Sequence, residues 1–311
     1  MNNKRGIITI AQGRKSYIDM AVNLAMSLKY KMPGSTIAVV TDSNDERLKK
    51  YFDIIIPINP DFGFALEQKL HIYEYSPFEE TLYLDSDILI VRPFEFLFDI
   101  FKGQNVSTSG KKITDGRHWG MDIPFIMQKY DTKYIIVLNG GLFYFIKSEK
   151  SLAIFRKVVA LLKEYNQIGA DLWREGKIDD QPLFSIAMSI YGQEPIDDKG
   201  KGMRTPLGIS GQFKMDILKG MCEFNKGNER VFPAIMHFGG ECTKTFFYRR
   251  EVRKLELGSR TMLPKFLISF FVNVGYNIPY TFYVFVYRIA KSVLKNKRFE
   301  VFPLMPMHRF E

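Results

Sequence analysis

The run "LYLDSDILIV", residues 82–91, sets Asp85 and Asp87 two apart in an otherwise apolar stretch. Two carboxylates this close repel each other, and burying either one unpaired is costly. Two arrangements relieve the conflict. Either the pair sits on an exposed turn, as aspartates readily do, or a positive centre lies between them. Hard carboxylate oxygens suit a divalent cation, Mn²⁺ or Mg²⁺, bridging the pair to a diphosphate, and manganese also accepts an imidazole nitrogen. That chemistry demands a third ligand from elsewhere. His237 qualifies: it is one of four histidines and ends the apolar run of "VFPAIMHFGG", where glycines let backbone approach a ligand closely. Its structural alternative is a histidine hydrogen-bonded in the wall of a core. His71, His118 and His308 have no comparable setting and are read as structural.

These side chains need a frame. Residues 6–11 read as a strand followed by polar "QGRKS", and apolar positions 17, 21, 24, 25 and 28 carry a helical period that ends near Pro33 and Gly34. "TIAVVTD" reads as a second strand, "ERLKKYF" as a helix, "DIIIPI" as a third strand, "ALEQKLHIYEYS" as a helix and "TLYLDSD" as the fourth strand. Strands alternating with helices at this pace imply an α/β fold, its sheet largely parallel and covered on both faces. In such sheets the ligand crevice lies at the carboxyl ends of the strands, where Asp85 and Asp87 fall. Beyond them, residues 106–122 read as a long loop, and "YIIVLNGGLFYFIK" as two strands broken at Asn139. "SLAIFRKVVALLKEY" and "DDQPLFSIAMSIY" read as helices, and residues 192–230, rich in Gly, Lys and Asp, as mostly irregular.

A chain of 311 residues with 46% hydrophobic content holds one large or two ordinary domains around a sizeable core. Its two cysteines, Cys222 and Cys242, argue against a disulfide framework or a cysteine zinc site and suit a reducing compartment. The first apolar run is too short for a signal-peptide core, so a cytoplasmic location is expected. The net charge of +10 is local: residues 244–311 hold 13 Lys and Arg against 4 Asp and Glu, a net of +9. That asymmetry points to an anionic partner of the tail rather than to nucleic acid.

The tail also holds 22 uncharged residues, 266–287, with Gly275 and Pro279 as breakers and a polar stripe at Ser269, Asn273, Asn277 and Thr281. Stripe and breakers favour a segment lying in a membrane interface, or a bent hairpin, over a plain span. Basic residues flank it, from Arg249 to Lys265 before and from Arg288 through Lys295, Lys297 and Arg298 after. The structural alternative is a helix packed on the body.

Through residues 5–250 the chain resembles the glycosyltransferase family 8 enzymes, the glycogenin and bacterial galactosyl- and glucosyltransferase group. "ITIAQGRKSY", "KLHIYEYSPFEETLYLDSD", "LNGGLFYF", "DDQPLFS" and "HFGGECTK" are similar to that family's motifs, in the same order. The resemblance implies a GT-A fold, a Rossmann-like mixed, mostly parallel sheet flanked by helices. It implies a catalytic domain over 1–250, with 251–311 as a basic, apolar, membrane-associating segment. It implies a retaining transfer of a hexose from a UDP-sugar to a glycan or glycolipid. Asp85, Asp87 and His237 would hold Mn²⁺ or Mg²⁺, with Asp85 also against the ribose. Thr9, Ala11 and Tyr17 would hold uracil and ribose, with Lys69 and Ser86 beside the donor. Asn139 and Gly140 would border the sugar, and Asp180 and Gln181 would contact it at the reaction face. Gly240 and Lys244 would bind the diphosphate. Two departures stand out: the lysine follows His237 by seven residues rather than six, and "TFF" replaces the usual Pro-Trp after it.

Some of these residue types have plain alternatives. Lys69 is also a solvated helix lysine, and either Asp179 or Asp180 serves as a helix N-cap, Asp179 being favoured. Water exclusion, which lets an acceptor win over hydrolysis, suits the 107–122 region as a lid. Two rival functions share the features. A haloacid-dehalogenase-type phosphatase also carries Asp-x-Asp after an apolar strand, but normally on its first strand. A non-catalytic nucleotide-sugar-binding protein would keep the fold alone.

Overall fold

The computed structural model describes residues 4–64, 66–172 and 176–293. Its first half alternates as the hydrophobic periods predict: β1 (Arg5–Ala11), α1 (Lys15–Lys31), β2 (Ile37–Thr41), α2 (Glu46–Tyr51) and β3 (Ile54–Pro57). β1 pairs parallel with β2, and β2 with β3. α1 forms because Ile18, Ala21, Val22, Leu24, Ala25 and Leu28 share one buried stripe, while Lys29 and Lys31 in its last turn suit the helix dipole. The helix expected over 65–76 divides at His71 into α3 (Leu66–Leu70) and α4 (Ile72–Tyr75).

The apolar run 82–91 proves to be two strands that part company. β4 (Glu80–Leu84) enters the main sheet parallel to β1, whereas β5 (Ile88–Ile90) leaves for another sheet, and the Asp-Ser-Asp turn joins them. α5 (Phe96–Phe101) follows. The expected long loop is instead a set of short strands: β6 (Val106–Ser107), β7 (Gly110–Ile113), β8 (Arg117–His118) and β9 (Met121–Asp122). β7 has no alternation of its own to betray it, because its backbone is satisfied by antiparallel pairing with β10 (Ile135–Leu138), which follows α6 (Ile123–Tyr130). β11 (Leu142–Ile146) runs antiparallel to both β4 and β6, which completes a six-stranded sheet in the order β3-β2-β1-β4-β11-β6.

α7 (Glu149–Leu162) and α8 (Asp180–Ile190) cover one face of this sheet with Ile8, Val40, Tyr83, Phe143 and Phe145. Ile7, Val39, Leu82, Leu84 and Tyr144 point the other way, into a second core with α1, as the two-residue period of a strand requires. Residues 192–230 are not irregular. They contain β12 (Met203–Arg204) and an antiparallel sheet of β13 (Ile209–Asp216), β14 (Met221–Lys226) and β15 (Glu229–Val231). A register shift between Ser210 and Lys214 breaks the alternation that would have revealed β13. β16 (Ile235–His237) lies between β12 and β5, antiparallel to β5.

Two helices close the described chain, α9 (Phe246–Arg260) and α10 (Lys265–Val293). The division expected after residue 250 falls inside α9, whose Tyr248 and Leu255 join the second core. α10 corrects the reading of the tail as a bent hairpin: it is one helix that runs through Pro279. Proline removes the hydrogen bond to the carbonyl four residues back, here that of Gly275, which carries no side chain to crowd the ring. The polar stripe meets the body at two of its four positions, though Asn277 and Thr281 are exposed. Ser269 is buried and donates to Asp216, and Asn277 accepts from Arg250 of α9. Among the described residues, no helix is long and apolar enough to cross a membrane. Lys295, Lys297, Arg298 and His308 lie outside the described residues.

Candidate functional site

Strand pairing gathers the residues that the sequence scatters. Antiparallel β5 and β16 set His237 opposite Ile88, so the histidine arrives beside Asp87, and the Phe238 N–H donates to the Asp87 carbonyl at 3.1 Å. Antiparallel β4 and β11 set Leu142 opposite Leu84, and the Asp85 N–H donates to the Gly141 carbonyl at 3.0 Å. Asp85, Asp87 and His237 thereby offer three ligand atoms that lie within 4.8 Å of one another. His237 Nε2 stands 3.1 Å from Asp87 Oδ1 and 3.7 Å from Asp85 Oδ2.

The hydrogen bonds around His237 fix its tautomer. Asn139 Oδ1 accepts the Gly141 N–H at 2.9 Å and lies 2.8 Å from His237 Nδ1. An amide oxygen is only an acceptor, so Nδ1 carries a proton toward it, and Nε2 is the nitrogen left to face the carboxylates; burial opposes the ring's charge, but Asp87 and Asp85 raise its pKa overall. The glycines beside Asn139 are explained by crowding. A Cβ on Gly141 would lie 2.5 Å from His237 Nδ1, and one on Gly140 would lie 2.8 Å from Asp180 Oδ2.

Lys69 is not a solvated helix lysine. It is buried, 3.0 Å from Asp85 Oδ1 and 2.9 Å from Asp180 Oδ2, and it donates to the Gly140 carbonyl at 2.6 Å. Burial opposes its charge, but Asp180 and Asp85 raise its pKa overall. Tyr83 donates to the same Asp85 oxygen at 2.6 Å. Burial drives Asp85 upward against the pull of Lys69, whereas His237 and the Gly240 N–H hold Asp87 down in spite of burial. One ammonium facing Asp85, Asp87 and Asp180 leaves a negative pocket, which a dication neutralises. Asp87 Oδ1 is buried without an aligned hydrogen-bond donor, as is Asp180 Oδ2 despite its ion pair. Two carboxylates, an imidazole and an orphaned oxygen fit a hard or borderline divalent ion, Mn²⁺ or Mg²⁺.

The remaining expected residues divide. Asp180 and Gln181 open α8 beside Gly140, and the Gly140 N–H donates to Gln181 Oε1 at 3.3 Å. Asp179 caps the helix by accepting the Gln181 N–H at 3.0 Å. Ser86 is buried in the turn between the two aspartates. Gly240 approaches through its N–H, which donates to Asp87 Oδ2 at 3.2 Å. Lys244 stays outside this cluster: its side chain is 58% exposed and pairs with Glu241 at 2.8 Å. Thr9 and Ala11 are buried in β1, and Tyr17 stands exposed on the first turn of α1.

Sequence reading missed a neighbouring cavity of about 720 Å³ at the carboxyl ends of β1, β2 and β3, lined by Gln12, Thr41, Asp42, Ser43, Ile58 and Phe64 among others. Asp42 accepts the Gly13 N–H at 3.0 Å there. The signal was available, since Asp42 follows β2 just as Asp85 follows β4.

No protein-family model and no curated protein matches the sequence. By structure, the chain is similar to the galactosyltransferase LgtC, solved in complex with donor and acceptor sugar analogs. The TM-score is 0.53 at 16% identity, over 83% of this chain and 97% of that one. An active-site mutant of LgtC gives 0.52 at 16% identity, over 85% and 99%. The match to the glycosyltransferase GlyE of Streptococcus pneumoniae TIGR4, at 17% identity and a TM-score of 0.43, spans 64% of this chain and 46% of that one. The chain therefore has the mixed α/β, parallel-rich fold of the GT-A glycosyltransferases.

Proposed function

We propose that the protein is a metal-dependent, retaining glycosyltransferase that moves a hexose from a UDP-sugar to a glycan or glycolipid acceptor. One observation carries the reading. Asp85 and Asp87 converge within 4.8 Å with His237, which lies 150 positions after Asp87 in the sequence, at the strand ends of a GT-A fold, and one of the carboxylate oxygens is buried without a hydrogen-bond donor. Mn²⁺ or Mg²⁺ would be held by those three residues. When bound, the ion stabilises charge on a diphosphate leaving group by several kcal/mol without a proton transfer.

The chain's own residues do the rest. Asn139 holds the His237 ring so that Nε2 faces the ion. Lys69 fixes Asp85 and Asp180 relative to each other, a positioning task in place of the donor contact expected from sequence. Asp180, held by Lys69, borders the transferred sugar at the reaction face, and Gly140 lets Asp180, Gln181 and Lys69 approach the backbone there. Uracil and ribose would occupy the cavity lined by Gln12, Asp42 and Phe64, with Thr9, Ala11 and Tyr17 of the adjoining β1 and α1 as their proposed contacts and Gly240 that of the diphosphate. Gln181 is a poor nucleophile, which favours same-face attack. In that step the acceptor oxygen bonds to the anomeric carbon as the bond to UDP breaks, and the acceptor proton passes to the leaving phosphate.

The tail supports a place at a membrane surface on the cytoplasmic side. α10 exposes Phe266, Phe270, Phe271, Ile278, Phe282 and Phe285, each 59–68% exposed, and carries no acidic residue. The phosphatase alternative loses support, because the Asp-x-Asp turn follows the fourth strand of a GT-A fold.

A panel of UDP-sugars assayed for UDP release, with Mn²⁺, Mg²⁺ or chelator, tests the reading. Metal-dependent turnover of one donor, lost in Asp87→Asn, is expected. Metal-supported binding of UDP with no turnover of any donor, alone or with acceptors, would instead identify a binding protein of the same fold.

A further inference from the structure

We infer that Asp179 is a positioning residue that clamps the Gln181 side-chain amide, beyond its duty as the N-cap of α8. The inference rests on the transferase reading for its kinetic consequence and on hydrogen-bond geometry for its existence. A cap needs one oxygen, and Asp179 Oδ1 supplies it to the Gln181 N–H. The same carboxylate also accepts from Gln181 Nε2, through Oδ1 and Oδ2, each at 3.2 Å. At the far end of that amide, Oε1 accepts the Gly140 N–H. An ionised carboxylate only accepts and a backbone N–H only donates, so both ends impose the same orientation.

The clamp is itself anchored. Asp179 is buried, and its N–H donates to the Tyr165 hydroxyl at 2.9 Å, which in turn donates to the Asp171 carbonyl at 2.8 Å. Gln181 Cγ lies 3.1 Å from where a Gly140 Cβ would stand, so the side chain also rests against the backbone bordering the sugar. Left free, a glutamine samples many rotamers. Held at both ends, its amide meets the reacting carbon in one orientation, and a gain of this kind appears in turnover and not in ground-state binding.

The test separates cap from clamp. Serine caps as well as aspartate but does not reach the amide, so Asp179→Ser keeps the melting temperature. It lowers kcat for donor hydrolysis about tenfold, the worth of roughly one hydrogen bond, at unchanged donor KM and Mn²⁺ affinity. Asp179→Asn retains Oδ1, which accepts both the Gln181 N–H and Nε2, but sets an Nδ2 donor where Oδ2 accepted Nε2, so it restores only part of kcat. In a Gln181→Ala background, Asp179→Ser adds nothing further. The same loss in that background, or wild-type kcat for Asp179→Ser, overturns the proposal. If the wild type turns over no donor, alone or with acceptors, the transferase reading fails separately, and the clamp is decided by NMR. The Gln181 side-chain amide signals, identified by their absence in Gln181→Ala, exchange slowly in wild type and quickly in Asp179→Ser. Equal exchange in both overturns the clamp.

Discussion

At the scale of residues, the site is organised by small groups that touch no ligand. Asn139 accepts from both the Gly141 N–H and His237 Nδ1. Asn139→Ala releases the imidazole and weakens Mn²⁺ binding about 10–100-fold, measurable by titration calorimetry. The adjacent glycines make a paired prediction. Gly141→Ala drives a methyl to within 2.5 Å of His237 Nδ1 and weakens metal binding. Gly140→Ala meets Asp180 and Gln181 and raises donor KM while leaving the metal site nearly intact. Equal effects of the two on metal affinity would contradict this division. The cluster of Asp85, Asp87 and His237 was legible in the sequence as a candidate, because aspartates two apart in an apolar run conflict with burial unless something relieves them. Lys69 was legible only as a residue type: its burial depends on Asp180, which arrives 111 positions later at the start of another helix.

At the scale of elements, a buried charge network fastens the C-terminal helices to the body. Lys254 of α9 is fully buried, 3.1 Å from Asp216 and 3.0 Å from Glu251, and Ser269 of α10 donates to the same Asp216. Lys254→Ala leaves two buried carboxylates facing each other and costs about 3–5 kcal/mol, readable by urea unfolding. Burial pushes Asp216 upward, but Lys254, the Lys219 N–H and Ser269 hold it below its ordinary 3.8. A depressed folded pKa contributes stability that is present above 3.8 and lost as pH falls through the lower folded value. Amide exchange in α10 should therefore accelerate as pH falls below about 4, beyond the intrinsic rate, and Asp216→Asn should remove that dependence. A stripe every fourth residue was visible in this tail, but not the direction it faces. Its partner Asp216 lies on β13, whose shifted register hid the strand.

At the scale of the molecule, net charge and exposed aromatic surface both belong to the C-terminal part of the chain. Residues 244–311 carry +9 of the total +10, and the outward face of α10 is phenylalanine-rich. A second copy of the chain would bring two net-positive segments together, whereas an anionic bilayer complements one. Co-sedimentation with vesicles containing phosphatidylglycerol should exceed that with phosphatidylcholine alone and fall with salt. Phe270→Ser with Phe282→Ser should abolish it while leaving UDP binding unchanged. The parallel half of the sheet followed from periodicity, since each strand is apolar and each helix amphipathic. The β5–β16 pairing that completes the site joins three-residue strands about 150 positions apart, too short and too distant for any local pattern to announce.

The central claim is that Asp85, Asp87 and His237 hold a divalent ion on which a nucleoside diphosphate rests. Calorimetric titration of UDP into the protein, with Mn²⁺ and then with chelator, for wild type and Asp87→Asn, tests it most directly. Saturable binding with Mn²⁺ is expected, removed by chelator and weakened at least about 100-fold in the variant, as loss of a direct ligand should exceed loss of its supporting residue. Equal UDP affinity with and without metal, or in Asp87→Asn and wild type, would contradict it.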